Sequence, residues 1–230
     1  MIPQLPLSLG FHPKYQLSDF VFGPNQGLAE VLLSSLSNSN QPLIYISGNP
    51  GSGRSHLLIG HCSLAQEQNL QAVYIPLKQK DDFAPEMFEG LESFDLVALD
   101  DLHLIAGDKA WEEAIFHLFN RLRDQGKRLV ISADTGPLSL PVALPDLATR
   151  LQWGLAWHLQ ELEDEQQEQR LMSLAGRQGI TLPSDAARYL LQRYDRDIPS
   201  LQKHLKQLDH MSLAAKRKIT IPFIRETLSG

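Results

Sequence analysis

The chain has 230 residues, 43% of them hydrophobic, and a formal charge of -6 with no long single-sign block. That length suits one large domain, or one with a small satellite, and that charge pattern argues against a surface built to coat nucleic acid. A lone cysteine, Cys62, excludes an intramolecular disulfide framework and a cysteine-rich zinc module.

No apolar run is long enough to span a bilayer, and the N-terminus lacks a basic start followed by an apolar core, so a cytoplasmic location is expected. Residues 1–10 carry no charged side chain, two prolines and leucines at positions 5, 7 and 9. This reads as an extended segment, in which Gln4, Leu5, Leu7 and Leu9 suit insertion into the pockets of a partner. A first strand, or a tail packed on its own domain, is the other reading. Residues 17–25 then form a loop, and Leu28, Val31, Leu32 and Leu36 give a helical pattern that ends in a Ser/Asn/Pro loop at 37–42.

Leu43–Ser47 is β-branched and aromatic enough for a buried strand, and it runs into Gly48-Asn49-Pro50-Gly51-Ser52-Gly53-Arg54-Ser55. A helical pattern follows through Leu57, Leu58, His61, Cys62 and Ala65. Strand, glycine loop and helix in that order are the context of a phosphate-binding loop, whose amides and helix N-terminus face an anion. Arg54 stands where that motif has lysine, keeping the charge on a bulkier planar fork, while Ser55 remains available for magnesium.

A second strand is expected at 72–75 and a third at 94–99, the latter ending in Asp100-Asp101. A carboxylate at a strand's C-terminal end sits where open α/β sheets bind ligands, so Asp100 is a candidate for a magnesium role and Asp101 for orienting water. Paired acids after a strand also form turns. Residues 109–122 read as a helix whose Trp111, Ile115, Leu118, Phe119 and Leu122 form a core stripe, 128–133 as a fourth strand ending at Asp134, 146–151 as a short helix and 157–159 as a fifth strand. From about residue 161 only helices are expected, at 164–177, 184–194, 198–215 and 222–228. The fold class is therefore α/β, with a parallel five-stranded sheet over residues 11–160 and a small helical domain over 161–230. The histidines show no metal-binding helical spacing, and Lys216-Arg217-Lys218 reads as a solvated helix end.

These features resemble the AAA+ family and, within it, the bacterial replication initiator DnaA. The resemblance is carried by Phe20-Val21-Phe22-Gly23-Pro24-Asn25, residues 48–55, Asp100-Asp101, Ser132-Ala133-Asp134 and Arg150-Leu151-Gln152-Trp153-Gly154-Leu155. It implies nucleotide contacts from Phe20, Val21, Gly23, Asn25, Pro50, Gly51, Ser52, Gly53, Arg54, Ser55, His56, Asp100, Asp101 and Asp134. It also implies Mg2+ held through the nucleotide at Ser55 and Asp100, and Arg150 acting as an arginine finger in trans. Pro199 falls where the family's lid helix usually offers an arginine, which together with Arg54 implies a bound diphosphate such as ADP.

Residues 4–9 are similar to the short peptide that binds the DNA polymerase III sliding clamp, and the helix-turn-helix module of DnaA is not expected beyond the helical domain. The combination resembles the DnaA-related regulators that inactivate the initiator. Expected partners are then DnaA, the clamp and a second copy of the chain, with no membrane and no sequence-specific DNA contact. A AAA+ helicase loader and an independent P-loop ATPase or kinase are the rival readings.

Overall fold

A computed structural model of the chain describes residues 15–37, 43–195 and 198–228. Gln4, Leu5, Leu7 and Leu9 lie outside the described residues, as does the side chain of Pro199. Two compact units emerge. One is built from residues 25–160 with 15–18, the other from residues 161–228 with Asp19–Pro24. The division after Gln160 falls where the sequence composition changes, but Asp19–Pro24 groups with the helical unit although it precedes the sheet in the chain.

The first unit is a five-stranded sheet in the order β2-β3-β4-β1-β5, where β1 is Leu43–Ser47, β2 Ala72–Pro76, β3 Leu96–Asp100, β4 Arg128–Ala133 and β5 Leu155–His158. Every pairing is parallel. The central strands β1 and β3 are buried at all five positions, which explains why they read as continuous apolar runs instead of alternating ones. At the edge, β5 alternates half-buried and exposed residues. Helix α1 (Gln26–Ser37) precedes β1, while α2 (Arg54–Glu67) connects β1 to β2, α3 (Lys109–Asp124) β3 to β4 and α4 (Pro145–Leu151) β4 to β5. The stripe expected on α3 is core: Trp111, Ile115, Leu118, Phe119 and Leu122 join Tyr45, Val97, Leu99, Ile131 and Leu147 in one apolar cluster. Burying each of the larger side chains contributes about 1.5–3 kcal/mol.

Three strands have boundaries that differ from expectation, β2 by running one residue further, to Pro76. β3 begins at Leu96, not residue 94, because the Asp95 carboxylate accepts from Gln71 N–H at 2.9 Å and Lys127 Nζ at 2.8 Å and so closes a turn. β5 begins at Leu155, where Ile44 offers it a partner. The polar stretch after β2 also holds short 3-10 turns, at Leu77–Asp82, Pro85–Phe88 and Leu91–Ser93, which no periodic pattern announces.

Between α1 and α2 a buried polar contact is titratable. His61 on α2 is fully buried against α1. Ser35 already donates its hydroxyl proton to Leu32 O at 2.8 Å, so His61 Nε2, 3.1 Å from that carbonyl and 3.2 Å from Ser35 Oγ, must carry the proton and donate. Nδ1 is left with no partner among the described residues. Burial pushes the imidazole pKa down to about 4, and nearby Arg128 reinforces this against the Leu32 carbonyl. Cys62, the next residue, is a small buried apolar group whose thiol burial pushes up to about 12.

The second unit contains α5 (Asp164–Arg177), α6 (Ser184–Arg193), α7 (Ile198–Ala215) and α8 (Ile221–Leu228). α5 opens with a reciprocal capping box between Glu163 and Gln166, which satisfies two amides that a helix start leaves without partners. Leu171, Ala175, Leu190, Leu201, Leu205, Leu208, Phe223 and Ile224 form its separate core. Among the described residues, no helix is long and apolar enough to cross a membrane.

Candidate functional site

The parallel register sets the site. Ser47 at the end of β1 pairs with Ala133 at the end of β4, and Leu99 pairs with Ile131. The glycine loop, Asp134 and the Asp100-Asp101 pair therefore leave adjacent strands on the same edge of the sheet, where open α/β sheets place their ligands.

The loop turns at Gly51 (φ 79°) and Gly53 (φ 103°), left-handed positions that favour glycine. A side chain added at Gly51 would meet nothing within 4 Å, so that point of the loop faces open space. Gly53 caps α2 without a side-chain hydrogen bond, leaving the helix's first amides to an external acceptor. Within the loop the buried Ser52 Oγ has no hydrogen-bond partner among the described residues. An orphaned hydroxyl, an uncapped helix start and an open backbone turn fit a phosphate group.

Arg54 does not extend into that space. Only 9% exposed, its guanidinium donates to Gly48 O, to Ala133 O at 2.9 Å and to Asp101 Oδ1 at 2.9 Å. Most of its donors and its charge are thereby spent inside the protein. Asp101 is aimed at it by an unusual backbone: a non-glycine residue at φ 61°, ψ 50°, held there by its own N–H donating to Ser132 Oγ at 2.9 Å. That conformation carries a strain of about 1–2 kcal/mol, which the ion pair and the amide bond offset.

Asp100 is 1% exposed and receives two neutral hydroxyls: Ser132 Oγ donates to Oδ1, and Tyr74 OH donates to Oδ2 at 2.6 Å. Burial, and then Asp100 itself, push the Tyr74 phenol far above its ordinary range. Ser55 lies beside the same phenol and acts in the opposite direction, favouring its charged form. The Tyr74 proton is committed to Asp100, and the Ser55 hydroxyl oxygen can serve a cation as a neutral ligand. No ion pair involves Asp100 among the described residues, and no cluster of His, Cys, Asp and Glu there makes a metal cage of its own. This donor set fits magnesium only in company with nucleotide oxygens, as a hard cation that keeps most of its other ligands.

Other expected site residues have structural partners. Asn25 is buried, receives Gln160 N–H at 2.9 Å on Oδ1 and donates to Gln160 O at 3.0 Å, so its amide ties the exit of β5. The His56 ring donates to Gln16 O at 2.9 Å and lies edge-on to Tyr15. Pro50 is exposed on the loop. Asp134 N–H donates to His103 Nδ1 at 3.3 Å, which requires an unprotonated Nδ1; the 3.8 Å carboxylate contact of the same nitrogen would become an ion pair only on protonation. Phe20 and Val21 belong, with Gly23, to the helical unit, where the Phe20 and Phe22 rings meet edge-on at 4.8 Å.

Arg150 lies on α4, away from these groups in the chain. The helix start is fixed by Glu112 of α3, fully buried, which accepts Gly107 N–H at 2.7 Å, Ala143 N–H at 3.0 Å and Leu144 N–H at 2.7 Å. Arg150 itself is half-buried, and its guanidinium stacks 3.8 Å from the centroid of Trp153. Among the described residues it has no carboxylate partner. Tyr74 and Glu112 carry no motif in the sequence, and Ser132 and Trp153 stand there only as members of longer motifs; a polar group interrupting an otherwise apolar strand is the available signal for Tyr74 and Ser132.

A parallel sheet in this order, with a phosphate loop after β1, acids at neighbouring strand ends and a following helical unit, is that of the AAA+ class. Residues 11–158 match the family model of the bacterial DnaA ATPase domain, and residues 164–228 match the model described as the lid domain of Hda. The chain belongs to the bacterial DnaA ATPase-domain family and has the DnaA-related Hda architecture. Among solved structures it is similar to domain III of the Thermotoga maritima replication initiation protein DnaA, with a TM-score of 0.80 at 23% identity over 94% of this chain and 96% of that one. AMPPCP-bound DnaA from Aquifex aeolicus gives 0.74 at 24% identity, covering 89% and 68%. The Thermotoga maritima RuvB branch migration motor gives 0.71 at 16%, covering 94% and 71%. At these identities the likeness is one of fold.

Proposed function

We propose that the chain is a negative regulator of replication initiation that binds the sliding clamp and stimulates hydrolysis of the ATP held by DnaA, presenting Arg150 to that nucleotide in trans. The observation that carries this reading is the state of Arg150: a half-buried guanidinium with no carboxylate partner among the described residues, on a helix whose start is fixed by a buried glutamate. A guanidinium in that state can stabilise charge that develops on a transferring phosphoryl group, a role worth several orders of magnitude in rate in comparable systems.

The chain's own loop amides, Ser52 and Ser55 would hold a nucleoside diphosphate, ADP, and Ser55 with Asp100 would hold a magnesium ion whose charge would offset that of the diphosphate. Arg54, engaged by Asp101, leaves Asp101 poorly placed to activate water, and this favours binding over turnover. His56 and Asp134 would complete the nucleotide surroundings within the sheet unit. Gln4, Leu5, Leu7 and Leu9 would tether the protein to the DNA-loaded clamp, so that a weak contact with DnaA acts at high effective concentration in the cytoplasm.

The test is hydrolysis of labelled ATP prebound to DnaA, with this protein, ADP and loaded clamp each omitted in turn. Acceleration that needs both protein and loaded clamp supports the reading, and loss of clamp binding on deletion of residues 1–9 supports the tether. Acceleration without the clamp, or clamp binding that survives the deletion, removes the tether; no acceleration under any combination removes the function.

A further inference from the structure

Trp153 presents a problem that the fold does not resolve. It is 58% exposed, although a tryptophan is the largest apolar side chain available for burial. Its position is built into the chain. Trp153 N–H donates to Arg150 O at 3.1 Å and Gln152 N–H to Thr149 O at 3.2 Å, so the last turn of α4 carries on far enough to place Trp153 three residues after Arg150 on the same side. At Gly154 a Cβ would come within 2.5 Å of the Leu43 carbonyl oxygen, so the backbone lies directly against β1 there and turns into β5. The indole is left outside, under the Arg150 guanidinium.

The two arginines of interest are held in opposite ways. Arg54 is held through its in-plane N–H groups, by two carbonyls and a carboxylate. Arg150 is held through its flat face, at 3.8 Å from the ring centroid. Stacking on an aromatic ring restricts the side chain without using the fork of N–H donors, which is the part that grips phosphate oxygens two at a time. A carboxylate clamp would restrict it equally well but would occupy two of its five N–H donors and offset its charge.

We propose that Trp153 is a positioning residue for Arg150, a platform that keeps the guanidinium ordered and its donors available for a phosphoryl group carried by another molecule. The proposal rests on the reading of Arg150 as a group acting on a partner's nucleotide. Trp153 itself touches no substrate in this account. Its effect lies in the maximal rate of the stimulated reaction, whereas a tryptophan serving as an ordinary docking contact would change only the concentration of protein needed.

Two measurements on the full chain test it. In the isolated protein, with arginine isotopically labelled, ring currents should move the Arg150 side-chain NMR signals upfield; Trp153→Ala should abolish the shift and Trp153→Phe keep part of it. In single-turnover hydrolysis of ATP bound to DnaA, titrated with this protein, Trp153→Ala should lower the maximal stimulated rate by about tenfold with little change in the half-saturating concentration, and Trp153→Phe should restore most of it. An unshifted Arg150 in the wild type overturns the proposal, as does a Trp153→Ala variant whose maximal rate is intact and whose half-saturating concentration alone rises. If Arg150→Ala abolishes stimulation while Trp153→Ala changes nothing, the finger stands and the platform falls. If Arg150→Ala stimulates as the wild type does, the finger reading falls and takes the platform role with it.

Discussion

Arg54 and Arg150 carry the same side chain in the same sheet unit and are used in opposite ways. Arg54 sits in the motif that by its spacing should grip phosphate, yet it is 9% exposed and bonded to Gly48 O, Ala133 O and Asp101. Arg150 sits outside any phosphate motif of this chain and keeps its donors, stacked on an exposed indole. A cation's position in a motif therefore says less about its role than what surrounds it. Charge met by a carboxylate holds a fold together; charge left over is available to another molecule.

This contrast can be broken or sharpened by substitution. The largest expected effect is on stimulated hydrolysis: Arg150→Lys keeps the charge but loses the planar fork and the stacking, and the rate should fall on the order of a hundredfold. The same change should leave the unfolding midpoint in denaturant almost unmoved, since surface substitutions of this kind fall within about 0.5 kcal/mol. Arg54→Ala should do the reverse. Removing one partner of a mostly buried ion pair strands Asp101, and unfolding should show a loss of about 3 kcal/mol.

A pH series separates fold from finger by a similar amount. His61 has its folded pKa lowered to about 4 from an ordinary 6.5, so its contribution is complete above pH 6.5 and is lost as pH falls towards 4. The loss amounts to about 3 kcal/mol at the low end. Arginine guanidinium groups as a class do not titrate in that window. Activity lost between pH 6.5 and 4 should therefore track unfolding, and His61→Gln, which retains an N–H donor for Leu32 O without titrating, should flatten the stability profile. The smallest effect expected is at Tyr74. Tyr74→Phe removes the hydroxyl between Ser55 and Asp100 and should weaken magnesium-dependent nucleotide binding by roughly tenfold, about 1.4 kcal/mol, measured by calorimetry, with the stimulated rate at saturating nucleotide unchanged.

Much of this was legible in the sequence because it is local. β1, β4 and the four helices of the second unit follow from runs and spacings that a short window contains, and the phosphate loop announces itself between a strand and a helix. The start of β3 was displaced because the Asp95 side chain bonds Gln71 and Lys127, neither of which is near it in sequence. The internal neutralisation of Arg54 was hidden for the same reason. It depends on the register of three strands, and on a left-handed backbone at Asp101 that a Ser132 hydroxyl from β4 holds in place. In the sequence Trp153 is one letter of the motif at 150–155. That its ring is exposed and stacked by Arg150 follows from the close approach of Gly154 to Leu43, which no periodicity encodes.

The most direct test of the division between the two arginines places labelled ATP on one protein at a time, either on DnaA or on this chain, and follows phosphate release in the mixture with loaded clamp. The account predicts rapid release from DnaA with wild-type chain, release at the basal rate with Arg150→Ala, and retention of label loaded on this chain. Release from this chain's own nucleotide at a comparable rate, or undiminished release from DnaA with Arg150→Ala, would contradict it.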